Sequence, residues 1–206
     1  MPGRKASEAT RRQQILHAAY DVASNERLDA LTIRTVAQRA GLSVGLILFH
    51  FRTKDELVLA VLDHPLATTT VLQVTPDIRQ IASPRDRLLA LLRREMLRLS
   101  SEPHRTRLFF EFWELGLKQR RVRARLRREL HRYREAFRPI AEEVLRAAPA
   151  RFAGVTADGL AAVSVSFIKG CAVQSMIDPA NLNIDEFIAA TQGLFGAAHA
   201  ERAREV

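Results

Sequence analysis

The chain has 206 residues, 47% apolar and 27% charged, so it is long enough to bury a sizeable core and too balanced in composition to be a disordered tail. Its 32 basic and 23 acidic residues leave a net charge of +9, with a pI near 10.8, which favours polyanionic partners. The single cysteine, Cys171, excludes an intrachain disulfide framework and a Cys-rich zinc site, and fits a reducing cytoplasm.

Histidines are scattered without HExxH spacing, so neither metal nor cofactor is expected. The opening MPGRKASEATRRQQ has no apolar signal-peptide core. The nearest thing to a membrane span, residues 159–177, is interrupted by Ser164, Ser166, Lys169 and Gln174 and reads as a buried helix, so no membrane partner is expected.

Period-two alternation never holds, whereas apolar spacings of three and four recur throughout, which predicts an all-α fold of about nine helices. Thr10-x-x-Gln13 is a capping box for a first helix with Ile15, Ala18, Ala19 and Val22 inward. Thr32 caps a second helix, Gly41 takes the left-handed turn that closes it, and Ser43 caps a short third helix carrying Ile47. Thr53-x-x-Glu56 starts a fourth helix with Leu57, Val61 and Leu62 inward.

From Asp63 to Pro84 the pattern weakens, because Pro65 and Pro76 flank the β-branched run TTTVLQV. Ser83-Pro84 and Glu102-Pro103 then open two helices, and a long one follows with the stripe Val122, Leu126, Leu130, Tyr133, Phe137, Ile140 and Val144. A small-residue helix over 157–177 and a last helix capped by Asn183-x-x-Glu186 complete the chain.

Residues 33–50, IRTVAQRAGLSVGLILFH, hold what a helix-turn-helix requires. Ala37 is small enough for two helices to cross, Gly41 makes the turn, Leu42 plugs the gap, and Val36 and Ile47 share a core. The competing reading is a helical hairpin with no function. With Thr32, Val36, Ala37, Ala40, Gly41, Leu42, Ser43, Gly45, Ile47, His50, Phe51, Lys54 and Leu57 in order, the segment over about residues 10–62 resembles the amino-terminal signature of the TetR (tetracycline-repressor) family. FFEFWELG and FIKGCAVQSMIDPANLNIDEF resemble, more weakly, the branch that includes the betaine-pathway regulator BetI.

That resemblance implies a helix-turn-helix DNA-binding domain over residues 1–54 and a helical ligand-binding and dimerisation domain over 55–206. It implies Ser43, Val44, Gly45 and Phe49 in the major groove, and Thr32, Arg34, His50 and Lys54 on phosphates. Lys54 in the first turn of a helix suits an anion on chemical grounds too. Where the family often has a phosphate-binding tyrosine, this chain has Leu48. With Leu46 and Phe49 beside it, the third helix offers no Arg, Lys or Gln for bidentate base reading, which points to thymine methyls and DNA shape.

Gly41-Leu-Ser43-Val-Gly45 also spells the G-x-S-x-G nucleophile elbow, with Asp158 or Asp178 and then His199 in hydrolase chain order. An elbow needs a preceding strand, and residues 32–40 have helical spacing, so no enzyme is expected. The alternative to a regulator is a helical scaffold that has lost sequence-specific DNA reading, for which Leu46, Leu48 and Phe49 are the motive.

Charge is unevenly placed: residues 1–56 hold nine basic and six acidic residues, against 17 and seven over 85–138. The arginine-rich run 118–134 is either a solvated face or a second anionic contact. The helix over 108–117 is apolar on most sides, as a helix buried between neighbours would be. By the resemblance it instead lines a cavity for a small-molecule inducer. Phe109, Phe112, Trp113, Tyr133, Phe137 and Phe167 are then the ligand-binding candidates, with Glu111 or Glu114 suited to a cationic end.

The small residues Gly159, Ala161, Ala162, Ser164, Ser166, Gly170, Cys171 and Ala172, with Ile184, Phe187, Ile188, Thr191, Phe195 and Ala198 of the last helix, suggest a homodimer through the last two helices. A dimer reading double-stranded DNA requires a palindromic operator.

Overall fold

The computed structural model describes residues 7–68 and 74–196, without the side chains of 65–68 and of 195–196. Of the sequence expectations, those on Ala198, His199 and the Phe195 side chain lie outside the described residues, as does the middle of the 64–84 stretch.

Among the described residues there are ten α-helices, one 3-10 turn and no strand. In chain order they are α1 (Glu8–Glu26), the 3-10 turn (Leu28–Ala30), α2 (Ile33–Ala40), α3 (Val44–His50), α4 (Lys54–Thr68), α5 (Pro76–Gln80), α6 (Pro84–Ser101), α7 (Pro103–Lys118), α8 (Arg120–Ala147), α9 (Ala157–Ile177) and α10 (Ile184–Gly196).

The element beyond the expected nine is α5, a short helix with Pro76 in its first turn, where proline's fixed φ is tolerated. The first cap also differs from expectation. Ser7 caps α1 by accepting the Thr10 N–H at 3.2 Å, so the helix starts upstream of the Thr10 box. A serine three residues earlier can cap equally well, and nothing between them breaks the helix.

The chain packs as two compact units. The first gathers α1 to α4, α7 from His104 and α8 to Glu129; the second gathers α5, α6, α8 from Leu130, α9 and α10. These units cut the chain elsewhere than residue 54. Leu108 and Phe112 of α7, and Val122 and Leu126 of α8, bury into the same core as Ile15, Val22, Val36, Ile47, Phe51 and Leu57. A Cβ at Gly116 of α7 would lie 2.6 Å from Leu126 Cδ1 of α8, so a larger residue there would displace the Leu126 side chain, while the α8 backbone at Arg123 stays 3.6 Å away.

The second core is built on Leu88, Leu92 and Met96 of α6, Phe137 and Val144 of α8, and Val165, Ile168 and Cys171 of α9. Fully burying a side chain of this size stabilises a fold by about 1.5–3 kcal/mol. α9, at 21 residues with a mean hydropathy of 1.5, is the one described helix long and apolar enough to cross a membrane. Its Leu160, Ala161, Ser164, Val165, Ile168, Cys171 and Ala172 are buried inside the unit.

Candidate nucleic-acid interface

Local hydrogen bonds fix the helix-turn-helix. Thr32 Oγ1 accepts the Thr35 N–H at 3.1 Å while Thr35 Oγ1 accepts the Thr32 N–H at 3.0 Å, a reciprocal cap that starts α2. Gly41 sits at φ 64°, the left-handed region that favours glycine, and the Leu42 N–H closes the turn onto the Ala37 carbonyl at 3.0 Å. Ser43 Oγ accepts the Leu46 N–H at 3.2 Å and starts α3. As an acceptor in the cap, the Ser43 hydroxyl keeps its own proton for an outside acceptor such as a phosphate.

Only Ile47 of α3 is buried. The opposite face is open: Phe49 is 70% exposed, with Val44 and Leu48 less so. Gly45 is exposed on that face, and a Cβ built on it would meet nothing within 4 Å. The Phe49 and His50 rings meet edge to face at 5.2 Å. Phe51 turns inward, where the Arg12 guanidinium covers its ring at 4.6 Å and secures the start of α1 over the end of α3.

Thr32, Arg34 and Lys54 are exposed, at the starts of α2 and α4, and His50 is half-buried. Arg52, which the sequence reading passed over, is exposed between His50 and Lys54; its backbone N–H is held by Glu56 at 3.0 Å. Its place in the tight connection before a helix N-terminus is the signal that could have found it. By contrast Arg39, on the same helix as Arg34, is neutralised by Asp21 and Glu26.

The G-x-S-x-G reading fails on geometry, because Ser43 follows a helix and a glycine turn rather than a strand. Asp158 belongs to an ion pair with Arg138 at 3.6 Å.

The ligand candidates divide between the units. Phe109, Phe112 and Trp113 belong to the first, where Phe109 and Trp113 pack at 5.6 Å and Phe112 is fully buried. Tyr133, Phe137 and Phe167 belong to the second, where Tyr133 meets Phe137 at 5.7 Å and Phe167 meets Phe187 at 6.3 Å.

Both carboxylates suggested for a cationic ligand already face cations of this chain. Glu111 accepts the Leu28 N–H at 2.7 Å and faces Arg27 and Arg107, so it fastens α7 to the 3-10 turn. Glu114 is exposed and paired with Lys118 at 2.7 Å.

A polar cluster in the second unit went unseen in the sequence. Glu95 of α6 is buried, accepts from Arg98 at 2.6 Å and from the Tyr133 hydroxyl at 2.9 Å, and Lys169 of α9 lies 5.1 Å from the centre of the Tyr133 ring. Burial pushes the Lys169 ammonium down to about 8, with Arg98 adding to the effect and Glu95 opposing it. Burial also pushes the Tyr133 hydroxyl well above its ordinary value, helped by the Glu95 charge. The available signal was Glu95 itself, an acid on the same face as Leu88, Leu91 and Leu92.

Comparison with known proteins agrees with this architecture. Residues 15–61 match the bacterial regulatory proteins of the tetR family, and residues 84–197, more than half of the chain, match the carboxy-terminal region of BetI-type transcriptional repressors. The chain belongs to the TetR family. This is a family of DNA-binding transcriptional regulators, not of enzymes.

An HTH-type transcriptional repressor of Mycobacterium tuberculosis is 48% identical over 50 residues, which are 24% of this chain and 27% of that protein. The chain thus spans about a quarter of the length of the curated relatives it matches.

Two solved structures share the TetR fold along nearly the whole chain. One, described as a transcriptional regulator from Saccharomonospora viridis in complex with choline, has a TM-score of 0.70 at 18% identity, covering 92% of this chain and 97% of its own. The other, described as a transcriptional regulator from Pseudomonas aeruginosa, has a TM-score of 0.70 at 21% identity, covering 95% of each.

Proposed function

We propose that this TetR-family chain is a sequence-specific repressor that binds a palindromic operator as a homodimer and leaves it when a small molecule occupies the carboxy-terminal body. The observation that carries the reading is α3. Seven residues long, it buries Ile47 alone and presents Ser43, Val44, Gly45 and Phe49 outward, with nothing over Gly45 to keep a duplex away. Thr32, Arg34, His50 and Lys54 flank it and hold phosphates, joined by Arg52. With apolar Val44, Leu48 and Phe49 as the reading surface, the operator is recognised through thymine methyls and shape.

The dimer forms through α9 and α10, but on a different face of α10 from the one the sequence suggested. Ile188 and Thr191 are buried within the chain's own unit, so the partner meets the exposed Val163, Ser166 and Ile177 of α9 and Ala190 and Leu194 of α10. A dimer in the cytoplasm, with its reading heads about 34–36 Å apart or a multiple of that, sets the half-site spacing.

For the ligand, the aromatic residues Phe109, Phe112 and Trp113, and separately Tyr133, Phe137 and Phe167, remain the candidates. Trp113 is the most telling of them, because its Nε1 is buried without an acceptor among the described residues.

Selection from random duplexes at about 150 mM salt, followed by gel retardation with a scrambled competitor, tests the reading. A palindromic consensus is the expected result. Binding indifferent to sequence would replace the repressor with the scaffold.

A further inference from the structure

The positive charge of this chain is concentrated away from its reading helix. Residues 118–134 contain nine lysines and arginines against one acid, Glu129, while α3 contains no lysine or arginine. Within the first unit, the beginning of α8 carries Arg120, Arg121, Arg127 and Arg128. All four are exposed, and none of their side chains has an ion pair or hydrogen bond among the described residues. Their spacing of one and seven places them on one face of the helix, opposite the buried Val122 and Leu126.

Over residues 120–129 the other two arginines are committed elsewhere. Arg123 donates to the Gly116 and Leu117 carbonyls, and Arg125 pairs with Asp63 at 2.9 Å. The four that remain are therefore held at the surface without neutralisation.

Two further observations indicate what they meet. The helix over residues 120–129 exposes no large apolar side chain, so it lacks the aromatic or aliphatic anchor on which protein interfaces depend; a polyanion requires only charge. Moreover, the α7–α8 corner lies beside the start of the reading module. α7, which leads into that corner, is fastened to the 3-10 turn by Glu111, whose carboxylate accepts the Leu28 N–H at 2.7 Å, and the start of α8 is fastened to α4 by the Arg125–Asp63 pair at 2.9 Å.

We propose that Arg120, Arg121, Arg127 and Arg128 form a second DNA contact, gripping backbone phosphates outside the sequence that α3 reads. The inference rests on the regulator reading and extends its footprint. The reading helix supplies discrimination with almost no charge, and the α8 face supplies charge with no discrimination. Such a contact raises affinity for any duplex long enough to reach it and makes binding steeply dependent on salt.

The test measures anisotropy of the full-length protein on two duplexes across a salt series. One duplex is the selected operator alone, and the other is the operator with about ten extra base pairs on each side, in both native and scrambled flanks. The quadruple variant R120Q/R121Q/R127Q/R128Q keeps helix-forming residues at exposed positions, and the corresponding quadruple lysine variant keeps the charge.

On the long duplex the glutamine variant is expected to lose about 3 to 4 units of log–log salt slope per protomer, close to 0.9 for each phosphate released. The lysine variant should retain wild-type slope, scrambled flanks should behave as native ones, and the short duplex should barely distinguish the proteins. Equal slopes for wild type and the glutamine variant on the long duplex would overturn the second contact, as would an equal loss on the short one.

Failure of the regulator reading looks different: wild type then prefers no sequence. The slope comparison, made then on long and short duplexes of arbitrary sequence, still decides whether α8 grips DNA. Melting followed by circular dichroism confirms that each variant is folded.

Discussion

The helix-turn-helix and the second unit solve opposite problems with the same kind of helix. Between Thr32 and Lys54 each cap is made by a neighbour three residues away, and α3 sets only Ile47 into the core so that its remaining surface stays outside. In the second unit the chemistry points inward: Glu95, Arg98, Tyr133 and Lys169 come from three helices and meet among apolar neighbours. A surface that reads a large partner can be assembled from contiguous residues, whereas a buried cluster needs elements far apart in the chain. The two regions should therefore respond differently to substitution, binding changing without stability in the first and stability changing with pH in the second.

The sharpest way to break that contrast is Gly45→Leu. Because a Cβ at this position meets nothing, the variant should fold and melt at or above the wild-type temperature, with about 0.5–1 kcal/mol gained from removing a glycine from a helix. A side chain between α3 and the base edges should nonetheless weaken operator binding by about 10- to 100-fold, the scale of losing a base-edge contact. Retained affinity would mean that α3 is not the reading surface.

The link between α7 and the reading module comes next. Glu111→Ala leaves the Leu28 N–H without its acceptor and Arg107 without its acid, so it should destabilise by about 1–3 kcal/mol and lower the melting temperature by several degrees. Glu111→Gln, which can still accept from Leu28, should recover most of the loss. If alanine and glutamine melt alike, the carboxylate does not fasten the 3-10 turn.

How much was legible in the sequence follows the same division. The Gly41 turn, the Thr32 and Ser43 caps and the burial of Ile47 all depend on residues within a few positions of one another, and the structure has them where spacing placed them. The aromatic residues of α7 and α8 were candidates for one ligand cavity in sequence, yet Phe112 and Phe137 belong to separate cores, a partition that depends on which helices pack together. For α10, Ile188 and Thr191 looked like an interface stripe because an apolar face has the same period whether it meets its own unit or a partner. Glu111 looked free for a ligand because its partner, the Leu28 N–H, is a backbone group 83 residues away, which no side-chain pattern announces.

Lys169 tests the inward half of the comparison. Its ammonium is ordinarily protonated up to about 10.5, but in the folded chain it loses its proton near 8, so between these values the unfolded chain holds a proton that the folded one has released. Wild-type stability should therefore gain a contribution as pH rises from 8 to 10.5. Lys169→Met removes that contribution, so the variant should be the more stable protein at pH 7, with its advantage shrinking across the window. Denaturant titrations of both proteins at pH 7, 9 and 10.5 give the difference directly, and a constant difference would show that the ammonium is not held at a cost.

The smallest effect is expected at Lys54, and its size separates one phosphate contact from many. The residue opens α4, where unpaired backbone N–H groups already favour an anion, and its side chain is exposed. Removing it as Lys54→Ala should lower the salt slope by about 0.9 per protomer and cost at most about tenfold in affinity at moderate salt, equally on operator and scrambled duplexes. Because Lys54 stands at the edge of the reading helix, the loss should be the same on short and flanked operators. The α8 arginines are expected to matter only on flanked ones, so a Lys54 effect confined to long duplexes would place both contacts on the same stretch of backbone and remove the distinction between them.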